Sequence, residues 1–203
     1  MKKFYYLKQN SLINKDLINK ILIKINKIFQ IKKTSINSSD YFYLKKSDFM
    51  NNFAFINTLN IVNQNFIKIT GFDKLELNKL KFFNTTAINV KKDEVPYVPH
   101  IDKKRFFKAM VYLHDVSLNH GPIHIGKVKN NSIDLEKIRI NLPSDYKEKK
   151  LNIIDHQYLD GDLTPMIGKA GDVIFFDTNT PHKAGVINSK YSRKVLRFDF
   201  INK

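Results

Sequence analysis

Three residues from two remote segments constrain the fold more than anything else in the chain: His100 and Asp102, separated by one residue, and the distant His182. Two imidazoles and one carboxylate can occupy one face of an octahedral iron(II) and leave three positions open for chemistry. Such a set works only if two remote segments meet side by side. Strands achieve this, because residues two apart point to the same side. His100 and Asp102 are therefore expected on one strand, facing a barrel interior, with Ile101 packed outward. A lone His-x-Asp arises by chance in many chains, and the second segment gives it weight. There Gly171-Asp172 opens an apolar run from Val173 to Phe176, and Pro181-His182 delivers a histidine just past its end. The chain then turns through Gly185 and Asn188-Ser189 into a closing run that places Arg193 and Arg197 on one face.

The layout of the rest agrees with a single β structure. Residues 1–70 are expected to be mainly helical support. Leu17, Ile18, Ile21, Leu22, Ile25, Ile28 and Phe29 recur at three- and four-residue steps and gather on one helix face, with Lys15, Lys20, Lys24 and Lys27 on the solvated side. A second helix is expected to open near Ser47-Asp48, run to about Thr70, and end at Gly71. From residue 75 to 203 the texture is that of short strands between Asn, Asp, Gly and Pro: Leu80 to Phe83, Thr86 to Val90, Phe106 to Leu113, Ile123 to Ile125, Val173 to Phe176 and Val195 to Ile201. This argues for a sandwich, jelly roll or small barrel in one domain spanning residues 1–203. Residues 126–168 are polar and punctuated by Pro143, Gly161, Pro165 and Gly168, and are expected to form an insertion, either a lid or substrate-binding segment or a surface loop without a role.

Composition narrows the chemistry. The chain has no cysteine, so any metal must take nitrogen and oxygen ligands, and no disulfide can form. No apolar run approaches the roughly 18 residues of a membrane span, and the apolar start at Phe4 is cut by Lys8 before a signal core forms, so a cytoplasmic protein is expected. The net charge of +16 invites a nucleic-acid reading. Against it, the lysines are spread along the whole chain, and runs such as Lys103-Lys104-Arg105 are short and not interleaved with stacking aromatics. The same field suits a small anionic substrate.

The region from about 94 to 203 resembles the phytanoyl-CoA dioxygenase-like branch of the iron(II)/2-oxoglutarate oxygenases. The elements that carry the resemblance are His100-Ile101-Asp102, Tyr112-Leu113-His114-Asp115-Val116, Asn119-His120-Gly121-Pro122, Gly171-Asp172, His182 and Arg193. One departure stands out: where that branch has a Pro-Gly-Ser-His turn, this chain has Gly126-Lys127-Val128-Lys129. The resemblance implies a double-stranded β-helix (a jelly roll, cupin-like) with a helical buttress. It also implies that iron(II) is held by His100, Asp102 and His182, and that 2-oxoglutarate has its far carboxylate on Arg193. Dioxygen and a small-molecule substrate complete the reaction, a hydroxylation, with desaturation and ring closure as the alternatives. Arg197 and Tyr112 are further candidates for contact with 2-oxoglutarate. Readings of a different class are a jelly-roll binding protein without turnover and a basic nucleic-acid-associated protein. A cupin-type metal pair at His120 and His124 lacks the close His-x-His and following Glu that it would need.

Overall fold

The computed structural model describes residues 4–32, 34–36, 39–87, 95–129, 133–140 and 152–202. The expected helix face folds as α1, Lys15–Lys32, which starts where the Asn14 side-chain oxygen accepts the Leu17 N–H at 2.9 Å. Its buried side chains are Leu17, Ile18, Ile21 and Ile25, with Ile13 just before them. The side chain of Phe29, expected on the same face, lies outside the described residues.

The second expected helix is two. A single turn, α2 (Lys46–Phe49), contains Ser47-Asp48, and the long helix α3 runs from Phe53 to Thr70. The break lies at Asn52, whose backbone is extended (φ −121°) and whose Oδ1 accepts the N–H groups of Ala54 and Phe55 at 3.0 and 3.3 Å. An amide oxygen that satisfies two of the orphan donors makes a better start than Asp48, which is spent on the Lys45 N–H. The end is where the sequence places it, with Gly71 left-handed (φ 70°) and its N–H on the Ile67 carbonyl.

Ten strands follow the alternation of the chain: β1 (Tyr6–Gln9), β2 (Thr34–Ile36), β3 (Ser39–Tyr43), β4 (Leu75–Thr86), β5 (Phe107–Tyr112), β6 (His124–Ile125), β7 (Thr164–Pro165), β8 (Val173–Asp177), β9 (His182–Lys183) and β10 (Ser192–Asn202). Seven form one antiparallel sheet in the order β1-β8-β5-β10-β4-β3-β2, and the other three form a small sheet, β7-β6-β9. Together they make the two walls of a jelly roll. The runs Leu80 to Phe83 and Thr86 to Val90, expected as two strands, belong to one through Thr86; residues 88–90 lie outside the described part. The first third contributes strands as well as helices. β1 adds an edge to β8, with Tyr6 opposite Phe176.

The large sheet has two unlike faces. Leu80, Phe82, Phe107, Ala109, Val111, Val173, Phe175, Leu196, Phe198 and Phe200 point to the side covered by α1 and α3, where they form the main core. Met110, Tyr112, Ile174, Phe176 and Val195 point the other way, toward Ile123 and Ile125 of the small sheet. Phe66 of α3 is the hub of the first face. It is fully buried, with its ring 4.9 Å from Phe175, 5.9 Å from Phe200 and 6.1 Å from Phe107. Edge-to-face contacts of this kind add to the area that the ring removes from water.

A third cluster sits under the expected insertion. Ile154, Leu159 and Leu163 pack on Ile101, and Val128 bridges Leu159. Residues 152–168 are therefore part of the packed body, while residues 130–132 and 141–151 lie outside the described part. A short helix, α4 (Leu135–Ile140), lies between.

The hub sets the first prediction. Phe66→Ala leaves a cavity where four rings meet and should lower the unfolding free energy by about 3–5 kcal/mol, measured by urea denaturation. A loss under about 1 kcal/mol would show that the helices contribute little to holding the sheet.

Candidate metal centre and cosubstrate pocket

The stretch His100 to Asp102 is not a strand. His100 makes isolated bridges, to Ile153 on one side and to His182 on the other, and Asp102 lies in irregular chain. The reason is that its neighbour, β9, is only two residues long, so pairing begins and ends at the two histidines. What holds the pair is a reciprocal exchange: the His100 N–H donates to the His182 carbonyl at 3.0 Å, and the His182 N–H to the His100 carbonyl at 2.9 Å. Ile101 does not face outward either. It is fully buried, with its backbone pinned by the Asn152 carbonyl and side-chain amide.

Local chemistry delivers His182 to its place. The Gly171-Asp172 turn that starts β8 is tied to the N-terminal segment. Gly171 is left-handed (φ 91°), a Cβ there would lie 2.1 Å from the Ile13 carbonyl oxygen, and Asp172 accepts the N–H groups of Ser11 and Lys169. At the far end of β8, Asp177 accepts the N–H of Asn179 on its side chain and that of Thr180 on its carbonyl, which turns the chain toward Pro181-His182. Arg105 clamps the same Asp177 with Nη2 at 2.6 Å, and the Asp102 N–H reaches the Thr178 carbonyl at 3.1 Å. Both ligand segments are thus fastened to one turn.

The side chains converge. One nitrogen from each histidine and one oxygen of Asp102 lie within 4.8 Å of one another, the one such group of His, Asp and Glu side chains among the described residues. Each imidazole has its Nδ1 at 2.8 Å from a backbone carbonyl two residues back, Val98 for His100 and Thr180 for His182. A carbonyl only accepts, so Nδ1 carries the proton and Nε2 presents a lone pair to the site. Burial, helped by the neighbouring His182, pushes His100 down to about 3, so it is neutral and ready to ligate at any ordinary pH. Asp102 Oδ1 lies 3.4 Å from His182 Nε2.

Lys108 was not anticipated from the sequence. Its ammonium is paired with Asp102 Oδ2, and the residue is only 6% exposed. Burial alone would raise the Asp102 carboxyl; Lys108 and His182 outweigh it and hold the group well below the usual carboxylate range. The signal was present in β5, where Lys108 shares the parity of Met110 and Tyr112 and so faces the interior. Oδ2 is the oxygen turned away from His182, so the pairing leaves Oδ1 for a metal.

Arg193 opens β10 on the same side of the sheet and lines one cavity of about 410 Å³ with His100, Asp102, His182, Lys108 and Phe176. It is 7% exposed, and its Nη1 has no hydrogen-bond partner. Burial pushes the guanidinium below its ordinary value, the mark of a cation waiting for an anion. The other two candidates are occupied. Arg197 is ion-paired with Asp199, its Nη2 donating at 3.0 Å and its Nε 2.8 Å from the other oxygen without hydrogen-bond alignment, and the Tyr112 hydroxyl donates to the Met166 carbonyl at 2.6 Å. His114 accepts the Lys194 N–H, and His120 sits against His114 and Tyr191, away from the triad. His124 lies in β6, paired with Lys183 and Pro165. The donor set and the orphaned guanidinium fit a divalent metal and a dicarboxylate.

Comparison with known proteins bears on the same point. The model of the phytanoyl-CoA dioxygenase (PhyH) family matches residues 61–195. The chain belongs to that family. Among solved structures, the epimerase SnoN in complex with Fe3+, alpha ketoglutarate and nogalamycin RO superposes with a TM-score of 0.71 at 16% identity, over 98% of this chain and 79% of that one. The alpha ketoglutarate-dependent carbocyclase SnoK from nogalamycin biosynthesis gives 0.73 at 11% identity, covering 98% and 80%. HygX from Streptomyces hygroscopicus, with nickel and 2-oxoglutarate bound, gives 0.61 at 11%, covering 97% and 82%. A search of curated proteins finds no match. The fold is the double-stranded β-helix of these enzymes, and this chain is an iron/2-oxoglutarate-dependent oxygenase. No helix among the described residues is long and apolar enough to cross a membrane.

The Lys108 pairing yields a pH prediction. A carboxyl depressed in the folded state stays ionised down to the depressed value and is lost only below it. Lys108→Met removes the largest lowering cause and leaves burial, so the Asp102 carboxyl should rise. Cobalt(II) binding, followed by its visible absorption, should then fail at a higher pH in the variant than in the parent. Superimposable pH profiles would refute the role of Lys108.

Proposed function

We propose that His100, Asp102 and His182 hold iron(II), that Arg193 clamps the far carboxylate of 2-oxoglutarate, and that the enzyme hydroxylates a small anionic metabolite. The observation that carries this is the buried, unpartnered Nη1 of Arg193 in the cavity that also holds the triad. A guanidinium left unsatisfied costs free energy that a bidentate carboxylate returns.

When bound, iron(II) and 2-oxoglutarate supply the activation of dioxygen that the hydroxylation requires. The chain's own residues set the conditions. The two backbone carbonyls keep both Nε2 lone pairs aimed inward. Lys108 keeps Asp102 ionised and turned. Met110, Ile123, Phe176 and Val195 line the cavity with apolar surface and exclude water from the reacting groups. The Asp102 carboxylate would occupy the place that a halide would need at the metal, which favours hydroxylation over halogenation.

Two substitutions test the assignment. Alanine at His100, Asp102 or His182 should abolish metal binding in a cobalt(II) or manganese(II) titration with the circular dichroism of the fold retained; full 2-oxoglutarate turnover in any of them would sink the triad. Arg193→Lys keeps the charge and loses the fork, so it should weaken 2-oxoglutarate binding by about 1.5–3 kcal/mol while metal affinity barely changes. Unchanged affinity there, with a loss in Arg197→Lys, would move the clamp four residues along β10.

A further inference from the structure

The cavity-facing side of the large sheet carries more positive charge than metal and cosubstrate account for. On β10, Arg197 and Asp199 share the parity of Arg193 and face the same way. Arg197 stands between Lys81 of β4 and Met110 of β5, and Asp199 between Lys79 and Lys108. Two adjacent rungs thus bring together Lys79, Lys81, Lys108 and Arg197 around a single carboxylate. That carboxylate is spent on Arg197, and Lys108 is spent on Asp102.

Lys81 stands beside the cavity, whose own lining includes Arg197 and Lys183, and neither of its direct neighbours on the adjoining strands, Tyr43 and Arg197, is a carboxylate. It lies directly opposite Arg197, and like charges opposite each other on neighbouring strands are destabilising. Its ammonium sits 4.5 Å over the Tyr43 ring and bonds to the Tyr43 hydroxyl, a neutral partner. Burial and Arg197 together push it below its ordinary value, and Tyr43 and the Asp199 carboxylate offset this only in part. Loading the site does not relieve this, because iron(II) and 2-oxoglutarate carry equal and opposite charge.

The rung is also in the wrong place for the cosubstrate. Arg197 is four residues along the strand from Arg193, about 13 Å, more than a five-carbon diacid held at Arg193 spans. Beside it the cavity has a flat apolar wall. Tyr41 and Phe83 stack with centroids 5.8 Å apart and planes 27° apart, and the Arg197 guanidinium lies 4.8 Å over Phe83.

We propose that Lys81 and Arg197 form an oxyanion subsite of the substrate pocket, taking a carboxylate or phosphate on a small molecule whose apolar body lies on Phe83 and Tyr41. The subsite rests on the assignment of the triad and Arg193 to metal and cosubstrate. It adds what the substrate must carry and where that group goes. With the anion held between the middle of β4 and the middle of β10, the body of the molecule extends along the cavity toward the triad, where a C–H bond is presented.

The test is calorimetric titration, without oxygen, of the iron(II)- and 2-oxoglutarate-loaded protein with benzoate, phenyl phosphate, benzyl alcohol and a short oligothymidylate. Benzoate or phenyl phosphate should bind at least about tenfold more tightly than benzyl alcohol, and Lys81→Gln should remove about that tenfold, the size of one charge-assisted hydrogen bond. Lys81→Arg should retain it. Which of the two anions binds better identifies the group as carboxylate or phosphate. Equal binding of benzyl alcohol, binding of neither anion, or no effect of Lys81→Gln overturns the subsite. Oligothymidylate binding as tightly as the small anions, and equally sensitive to Lys81→Gln, overturns a small-molecule occupant. The same titrations separate this failure from that of the underlying assignment. A fall in 2-oxoglutarate affinity in Lys81→Gln would make Lys81 part of the cosubstrate clamp and overturn the subsite. Metal-independent 2-oxoglutarate binding by the parent protein would instead overturn the triad and Arg193 assignment.

Discussion

The pair of backbone hydrogen bonds between His100 and His182 is the constraint on which the centre depends. It fixes the two histidines as direct cross-strand neighbours, so the distance between their rings (4.5 Å between centroids) follows from sheet geometry and not from side-chain chance. Everything around it serves to hold two short segments in that register. β9 has two residues and the His100 segment only bridges, so neither would pair stably alone. The turn at Asp177 supplies what the short ladder lacks, by holding the Asp102 backbone through Thr178 and the Arg105 side chain through its own carboxylate. A site built on rigid elements and braced from behind meets the tolerance that ligand geometry sets.

The large sheet separates stability from chemistry by parity. Alternate residues of β10 go to opposite sides: Leu196, Phe198 and Phe200 to the helices, and Arg193, Val195, Arg197 and Asp199 to the cavity. One strand can thus carry three charged interior groups because its other face is anchored by aromatic packing on Phe66. Helices on one face free the opposite face to open into a cavity. A one-residue slip of β10 would exchange the two sets, burying Arg193 among phenylalanines, and this strongly disfavours any alternative register.

Much of this was legible in the sequence wherever the signal was local. The run Val173 to Phe176, the helix end at Gly71, and the convergence of His100, Asp102 and His182 follow from period, turn chemistry and ligand type. The three residues of the candidate metal site were placed together for a partly wrong reason, since His100 and Asp102 share a side without sharing a strand. The tertiary partner, β9, is too short for the strand to propagate. β1, β2 and β3 were missed because strands of three to five residues give no periodicity to read, and they exist only as edges added to a sheet already formed. The cap at Asn52 was hidden by a Ser-Asp pair that looks equally good in sequence and loses because Asp48 bonds locally to Lys45.

Lys108 shows most clearly why a site is harder to read than a fold. A lysine within an apolar run is read as a break or a solvated edge, and burying it unpaired would be prohibitive. Its placement is possible only because Asp102 arrives from another segment to meet it, and no spacing rule connects the two. The same holds for Lys81, which is unremarkable on its own strand and forms a concentration of charge with Arg197 only when β4 and β10 pair in register. Ligand types can be recognised one residue at a time. The electrostatics that select a substrate arise between strands, and they appear only once the register is known.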